Sequence, residues 1–393
     1  MKLAFLSHTA MGGPFVVGSH QLAASLAASG HRVQHVSAPL TPAHLIRFRD
    51  SFVRARAARW ACGGSDIRGV LDVVPLTLLP WALARAWEPL RSSYSRCMLA
   101  GPTRSARTLH LDDADGLIID EPRMLGLARR KPQRPMIYRA TDLYAVMRHD
   151  RSILRAEETL CREADAVVAT SDEIAAHLRR LSARTVHVIG NGVEFAHFAG
   201  AREAGGRELF DLPGERAQRA VYVGSFDGRL SSESILAAAR ALPDKRFILA
   251  GPGSERVAER LARANVLALG SVRYSALPQL LRQCSVGLLP LSADAANAGR
   301  SPMKLFEYAA AGLAIAATPA LAVPDRRMIS LCRAKTDAAF PASVAEAFLR
   351  STDAASISAS ADIARGQDWS AKAAALLGLI RGPGSPDAAS SWN

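Results

Sequence analysis

Asn297-Ala298-Gly299-Arg300-Ser301-Pro302-Met303-Lys304-Leu305-Phe306-Glu307-Tyr308, closed by Gly312, is the stretch on which the reading of this chain turns. It follows an apolar run, Val286 to Leu289, and a break at Pro290. Ser301 is placed as an N-cap and Pro302 as the first helical residue, where a missing N–H costs nothing. Strand, loop and capped helix in that order put the helix N-terminus at the C-terminal edge of a sheet. Free N–H groups and the positive dipole end suit a diphosphate there. Lys304 adds a cation in the first turn. Glu307, one turn on and nearly in line with it, can accept hydrogen bonds from ribose hydroxyls. The same pair also reads as an ordinary (i, i+3) ion pair on an amphipathic helix, and the pattern alone leaves both open.

Outward from this stretch, the chain alternates strand and helix patterns twice over. Leu3 to Leu6, Arg32 to Val36, Gly116 to Asp120, Pro135 to Arg139, Ala166 to Thr170 and Val186 to Ile189 read as strands, with helices at Ser19 to Ala28 and Leu154 to Ala164. The first seven residues read as a strand rather than a signal peptide. A loose stretch, Ala199 to Gly206, reads as a linker. Strand patterns then resume at Ala220 to Val223, Arg246 to Ala250, Asn265 to Leu269, Val286 to Leu289 and Leu313 to Ala317. The expectation is an α/β chain with two Rossmann-like doubly wound domains facing an interdomain cleft. Residues 1–198 form the acceptor-binding domain and 199–366 the nucleotide-sugar domain. Residues 367–381 form a helix crossing back to the first domain, and 382–393 a disordered tail.

The 393 residues carry a formal charge of +13. That excess suits a phosphorylated substrate, an anionic lipid surface or nucleic acid. No recognisable nucleic-acid reader motif accompanies it, so nucleic acid is not expected as a partner. Five scattered cysteines show no ligand spacing and read as reduced thiols, with no metal or cofactor implied. Asp113-Ala114-Asp115 matches the DxD of metal-dependent transferases but precedes a strand, and a solvated loop is the preferred reading. No apolar run reaches the ~18–20 residues of a membrane span. Arg47, Phe48, Phe52, Arg56 and Trp60 interleave apolar and basic residues as an interfacial helix does, and Val73 to Trp81 follows as an apolar, Pro-broken segment. Contact with an anionic membrane surface through these residues and Trp81 is one reading; a basic helix covering the core is the other.

Ser301-Pro302-Met303-Lys304-Leu305-Phe306-Glu307-Tyr308 resembles the donor segment of GT-B glycosyltransferases, with Thr141-Asp142, Ser171 and Gly190-Asn191-Gly192-Val193 in the order those enzymes show. Tyr138 to Asp142, Val223 to Ser225 and Met303 to Leu305 further resemble the GumK-type (xanthan) glucuronosyltransferase family. The resemblance implies that Gly224, Ser225, Phe226, Ser301 and Met303 line a donor pocket, with Lys304 on the diphosphate and Glu307 on the ribose. It also implies that backbone near Ser271 and Val272 meets the base. Leu291 and Arg300 depart from the pattern, at places where relatives carry an aromatic and many retaining enzymes a glutamate.

Asp142 follows a strand and so faces the cleft, where a carboxylate partly removed from water suits a general base. Capping the next helix is the other reading. The resemblance places the catalytic aspartate at Asp142 and implies an inverting displacement. Arg139 either meets acceptor phosphate or neutralises Asp142, while Asp120, Glu121 and His8 sit at strand ends where acceptor hydroxyls can lie.

The expected activity is transfer of a sugar, glucuronic acid by the resemblance, from a UDP-sugar to a polyprenyl-diphosphate-linked oligosaccharide in exopolysaccharide biosynthesis. The expected setting is cytoplasmic, at the inner face of the cell membrane. A retaining GT-B transferase, a nucleotide-sugar 2-epimerase and a non-catalytic basic lipid- or nucleic-acid-binding protein are the rival readings.

Overall fold

The computed structural model describes residues 1–13, 15–47, 49–95, 98–102, 110–128, 134–181, 185–200, 209–321, 328 and 330–382. The chain forms two compact units, Met1–Gly190 with Ser370–Asn393, and Asn191–Trp369. The strands of the first are β1 (Lys2–Leu6), β2 (Arg32–Val36), β3 (Ser65–Ile67), β4 (Val70–Val73), β5 (Gly116–Ile119), β6 (Met136–Ala140), β7 (Ala166–Ala169) and β8 (Val186–Val188). They form one sheet in the order β3-β4-β2-β1-β5-β6-β7-β8, parallel except for the β3–β4 hairpin. The chain leaves β1 on one side and returns on the other at β5, so the β1/β5 boundary is the topological switch point. Open α/β sheets bind ligands beyond the strand ends at that point.

The second unit repeats the plan with β9 (Arg219–Val223), β10 (Arg246–Ala250), β11 (Val266–Gly270), β12 (Val286–Leu289), β13 (Ala314–Ala317) and β14 (Leu331–Arg333), all parallel, in the order β11-β10-β9-β12-β13-β14. Its switch point is β9/β12. Strands buried on both faces explain the continuous Val, Ile, Leu and Ala runs that marked them in the sequence.

Two expectations shift. The division lies at Gly190/Asn191 rather than at 198/199, because residues 191–198 pack within the second unit. Phe198 is fully buried in its core and the Phe195 N–H donates to Asp368 at 3.0 Å. Most of the expected linker (201–206) and nearly all of the expected tail (383–393) lie outside the described residues. The helix Trp369–Arg381 belongs, from Ser370 on, to the first unit, where a Cβ on Gly116 would come within 2.8 Å of Ile380. Finally, Val73 and Val74 are core residues, since β4 pairs with β2, while Leu78 of the same apolar segment is exposed. No helix among the described residues is long and apolar enough to cross a membrane.

Candidate functional site

In the second unit the strand ends bring the expected donor residues into one neighbourhood. Gly224, Ser225 and Phe226 follow β9, Ser271 and Val272 follow β11, and the segment leading to Met303 follows β12. Strands β9 and β12 pair only at Ala220/Val286 and Val221/Gly287, then part. The gap is filled by Tyr308. Its hydroxyl accepts the Val223 N–H at 2.9 Å, and its ring packs so closely on Gly287 that a Cβ there would collide with it. Tyr308 thus fastens the helix Met303–Ala310 to both strands of the switch point, a positioning role that the sequence reading missed. The signal was present in Gly287, an isolated glycine inside a strand, which marks a close approach by a neighbour. Backbone also meets backbone beside the site. Gly251 has φ +141°, and a Cβ on it would overlap the Gly224 carbonyl, so only glycine lets the β9 and β10 loops come together.

The helix itself starts one residue later than expected. Pro302 is extended (ψ 116°) and stands as the N-cap with no side-chain cap bond. The Ser301 hydroxyl instead accepts the Asn191 N–H at 3.0 Å, while Asn191 Nδ2 donates to the Ser301 carbonyl at 2.8 Å. The expected Ser301 cap is therefore not made. The first-turn N–H groups of an uncapped helix remain available to an anion. Lys304 Nζ lies 2.5 Å from Glu307 Oε2, with the glutamate side chain nearly buried and the lysine about a quarter exposed. Both readings of this pair fit that geometry: a standing (i, i+3) ion pair, and two ligands that separate when phosphate and ribose arrive.

In the first unit, His8, Asp120, Glu121, Arg139 and Asp142 gather at the C-terminal ends of β1, β5 and β6. Asp120 and Arg139 are both buried and paired to each other at 2.9 Å. Burial pushes the Asp120 carboxyl up, with the Arg139 charge working against it. Arg139 Nη1 donates to Asp120 Oδ2, so this guanidinium answers a carboxylate at the end of β5. Glu121 is also buried. It accepts from Arg123 Nε and Nη2 at 2.9 and 2.8 Å and from Arg148 at 2.8 Å. Burial alone would raise its pKa; the two guanidiniums outweigh that and hold it well below the usual range. His8 is half-buried, edge-on to Tyr144 at 6.5 Å, and its Nδ1 has no hydrogen-bond partner among the described residues. Burial lowers its pKa, against the raising influence of Glu121, so the ring is neutral near pH 7.

Asp142 is partly exposed and accepts a hydrogen bond from Thr141 Oγ1 at 3.1 Å. The next helix starts at Tyr144 behind Leu143 with no side-chain cap, so the capping role is not seen. Asp115, by contrast, accepts the Lys2 N–H at 2.7 Å, at the opposite, N-terminal edge of the sheet. The DxD match therefore sits away from the strand ends that carry the site.

The loop after β1 is held by a buried polar chain that the sequence did not reveal. His35 Nδ1 meets Asp72 Oδ1 at 2.8 Å across neighbouring strands, and Arg59 Nη1 reaches Asp72 Oδ2 at 2.6 Å and the Met11 carbonyl at 2.7 Å. His20 Nε2 contacts the Thr9 carbonyl at 2.8 Å, and Ser7 and Ser19 hydroxyls are 2.7 Å apart.

The expected membrane residues Phe52, Arg56, Trp60 and Trp81 are half-buried and make contacts within the first unit. Helix Ser51–Ala61 packs through Val53, Ala57 and Trp60, one helical face. The Trp60 indole donates to the Leu99 carbonyl at 3.1 Å, Arg56 donates to the Ala38 carbonyl at 2.7 Å, and the Phe52 ring lies against Gly13. Trp81 donates to Asp150 at 2.8 Å. Phe48 and the side chain of Arg47 lie outside the described residues. Among the described residues of this region, Ile46, Leu78, Leu83 and Trp87 are the most exposed large apolar side chains.

Two doubly wound parallel units, the second presenting an uncapped helix with Lys304 and Glu307 beside a Gly-Ser turn, define the GT-B class of glycosyltransferase folds. The model described as "Glycosyl transferase 4-like domain" matches residues 16–192, and the one described as "Glycosyl transferases group 1" matches residues 217–351. The chain thus carries glycosyltransferase domains, the group 1 domain in its second unit, on a GT-B fold. A Bacillus subtilis (strain 168) protein named for teichuronic acid biosynthesis as the glycosyltransferase TuaH is 28% identical over 200 residues, 47% of this chain. The match spans about half (50%) of that relative's length. Sucrose-phosphate synthase from Thermosynechococcus elongatus shares the fold with a TM-score of 0.69 at 16% identity, over 97% of this chain and 98% of that one. Anabaena HepE in complex with UDP-glucose does so with a TM-score of 0.64 at 15% identity, over 97% and 99%.

Proposed function

We propose that this protein transfers a sugar from a UDP-sugar to a hydroxyl of a lipid-linked oligosaccharide in polysaccharide biosynthesis, with inversion. The observation that carries the reading is the uncapped N-terminus of Met303–Ala310, with Lys304 in its first turn, fixed by Tyr308 at the β9/β12 switch point. A nucleotide diphosphate placed there meets N–H donors and an ammonium group, and Glu307 is one turn away for the ribose. The complex of HepE with UDP-glucose, a protein of the same fold, supports a UDP-linked donor. The resemblance to GumK-type enzymes supports glucuronate as the sugar, and the TuaH match supports an anionic polysaccharide as the product.

Asp142 is the proposed base. It takes the proton from the acceptor hydroxyl as that oxygen bonds to the anomeric carbon, and the bond from that carbon to the diphosphate oxygen breaks. UDP leaves with both electrons of that bond, its charge met by Lys304 and the helix end, without a metal. His8, neutral and with Nδ1 open, is suited to orienting the acceptor hydroxyl. The setting proposed is the cytoplasmic face of the membrane, approached through Leu78, Leu83 and Trp87 rather than through Trp60 or Trp81. Calorimetric titration with UDP tests the donor site: Lys304→Ala should weaken binding by about tenfold or more. Unchanged affinity would remove the donor-helix assignment. Proton NMR of the product anomer separates inversion from retention, and turnover in EDTA checks independence of a metal.

A further inference from the structure

Two tyrosines close on the end of β9 from opposite faces of its sheet. Tyr308 lies in the core cluster that holds Val223, and its hydroxyl accepts the Val223 N–H at 2.9 Å. Tyr222, one residue earlier on the strand, points to the other face, as alternation along a strand requires, and packs in the cluster of Leu230 and Leu249. Its hydroxyl donates to the Ser225 carbonyl, in the turn that follows, at 3.0 Å. Burial pushes the Tyr222 phenol up to about 12, so the hydroxyl keeps its proton at neutral pH. The Phe226 ring stands edge-on to the Tyr222 ring at 5.1 Å. Between them, residue 224 has no room for a side chain, because a Cβ there would come within 2.6 Å of the Tyr222 hydroxyl.

The backbone donors of this turn can be accounted for one by one. The Gly224 N–H is spent on the Ala250 carbonyl at 3.0 Å, and the Phe226 N–H reaches the Pro252 carbonyl at 3.4 Å. The Ser225 N–H and hydroxyl have no partner among the described residues, although Ser225 is half-buried. A glycine-containing turn is free to swing its peptide groups, and a carbonyl oxygen swung toward an anion repels it. We propose that Tyr222 is a positioning residue for the donor: by holding the Ser225 carbonyl it fixes the turn so that the Ser225 N–H and hydroxyl are left for a phosphate oxygen of a nucleoside diphosphate. The inference rests on the donor reading of the second unit and adds to it a residue that touches no ligand itself. Tyr308 sets the helix side of that site and Tyr222 the turn side.

Calorimetric titration of the full chain with UDP is the test. Tyr222→Phe keeps the ring against Phe226 and removes only the hydroxyl, and UDP affinity should fall about threefold to tenfold. Gly224→Ala drives a Cβ against the same hydroxyl from the turn side and should weaken UDP binding to a similar degree. Coupling to Ser225→Ala is the readout that a purely structural role would not move. If Tyr222 acts through Ser225, Tyr222→Phe costs clearly less affinity in the Ser225→Ala background than in the wild type. Equal costs in the two backgrounds would overturn the proposal, as would a lowered urea midpoint in Tyr222→Phe with UDP affinity unchanged. A wild type that binds UDP, is weakened by Lys304→Ala and is indifferent to Tyr222→Phe removes this inference alone. A wild type that binds no UDP removes the donor reading, and this inference with it.

Discussion

The two switch points of this chain are built on one plan and finished in opposite ways. At β1/β5 the strands stay paired to Leu6/Ile119, and beyond them the site is packed with side-chain charge: Asp120 with Arg139, and Glu121 with Arg123 and Arg148. At β9/β12 the strands part after Gly287, and what faces the opening is mostly backbone, with glycines at 224 and 251 and the free end of one helix. A diphosphate is the same in every nucleotide-sugar, so fixed N–H groups and one cation serve it. An acceptor hydroxyl has to be chosen and deprotonated, which calls for side chains held in register by buried ion pairs.

Substitutions break this contrast in a predictable order. Asp142→Asn should lower turnover by about 10²–10⁴-fold while UDP affinity is kept, as removal of a general base does; parallel loss of UDP binding would mean that Asp142 serves the fold instead. Lys304→Ala should do the reverse, weakening UDP binding about 10-fold to 100-fold. Tyr308→Phe leaves the buried Val223 N–H without its acceptor and should cost about 1–3 kcal/mol of stability, read as a lower urea midpoint. An effect of similar size concerns acid. Burial and the neighbouring His35 lower the pKa of His20 to about 3 from its ordinary value of 6.5. The unfolded chain therefore takes up a proton below pH 6.5 that the folded chain refuses, and stability falls as pH drops through that window. About 2 kcal/mol should be lost between pH 6.5 and about pH 5, and His20→Gln should flatten that limb of the melting curve.

The second switch point was the more legible one. The strand at Val286, the proline at 302 and the i, i+3 spacing of Lys304 and Glu307 are local signals, and a local reading recovered them. It misplaced the cap because whether Ser301 bonds forward to its helix or back to Asn191 depends on a residue 110 positions earlier. The first switch point was read only as a set of strand ends. Its ion pairs join β5 to β6 and to the helix beyond. The brace around the β1 loop joins His35, Arg59 and Asp72, which no periodicity links. Strand β4 escaped notice because Pro75, Pro80 and Trp81, which follow it, made the stretch read as a surface segment.

The decisive measurement is the crystal structure of the chain with UDP bound. The diphosphate should lie against the N–H groups at Met303 and Lys304, with Lys304 Nζ drawn from Glu307 to a phosphate oxygen and Glu307 turned to the ribose hydroxyls. A nucleotide bound elsewhere, with the Lys304–Glu307 pair still closed, would contradict the assignment of the second unit as the donor half.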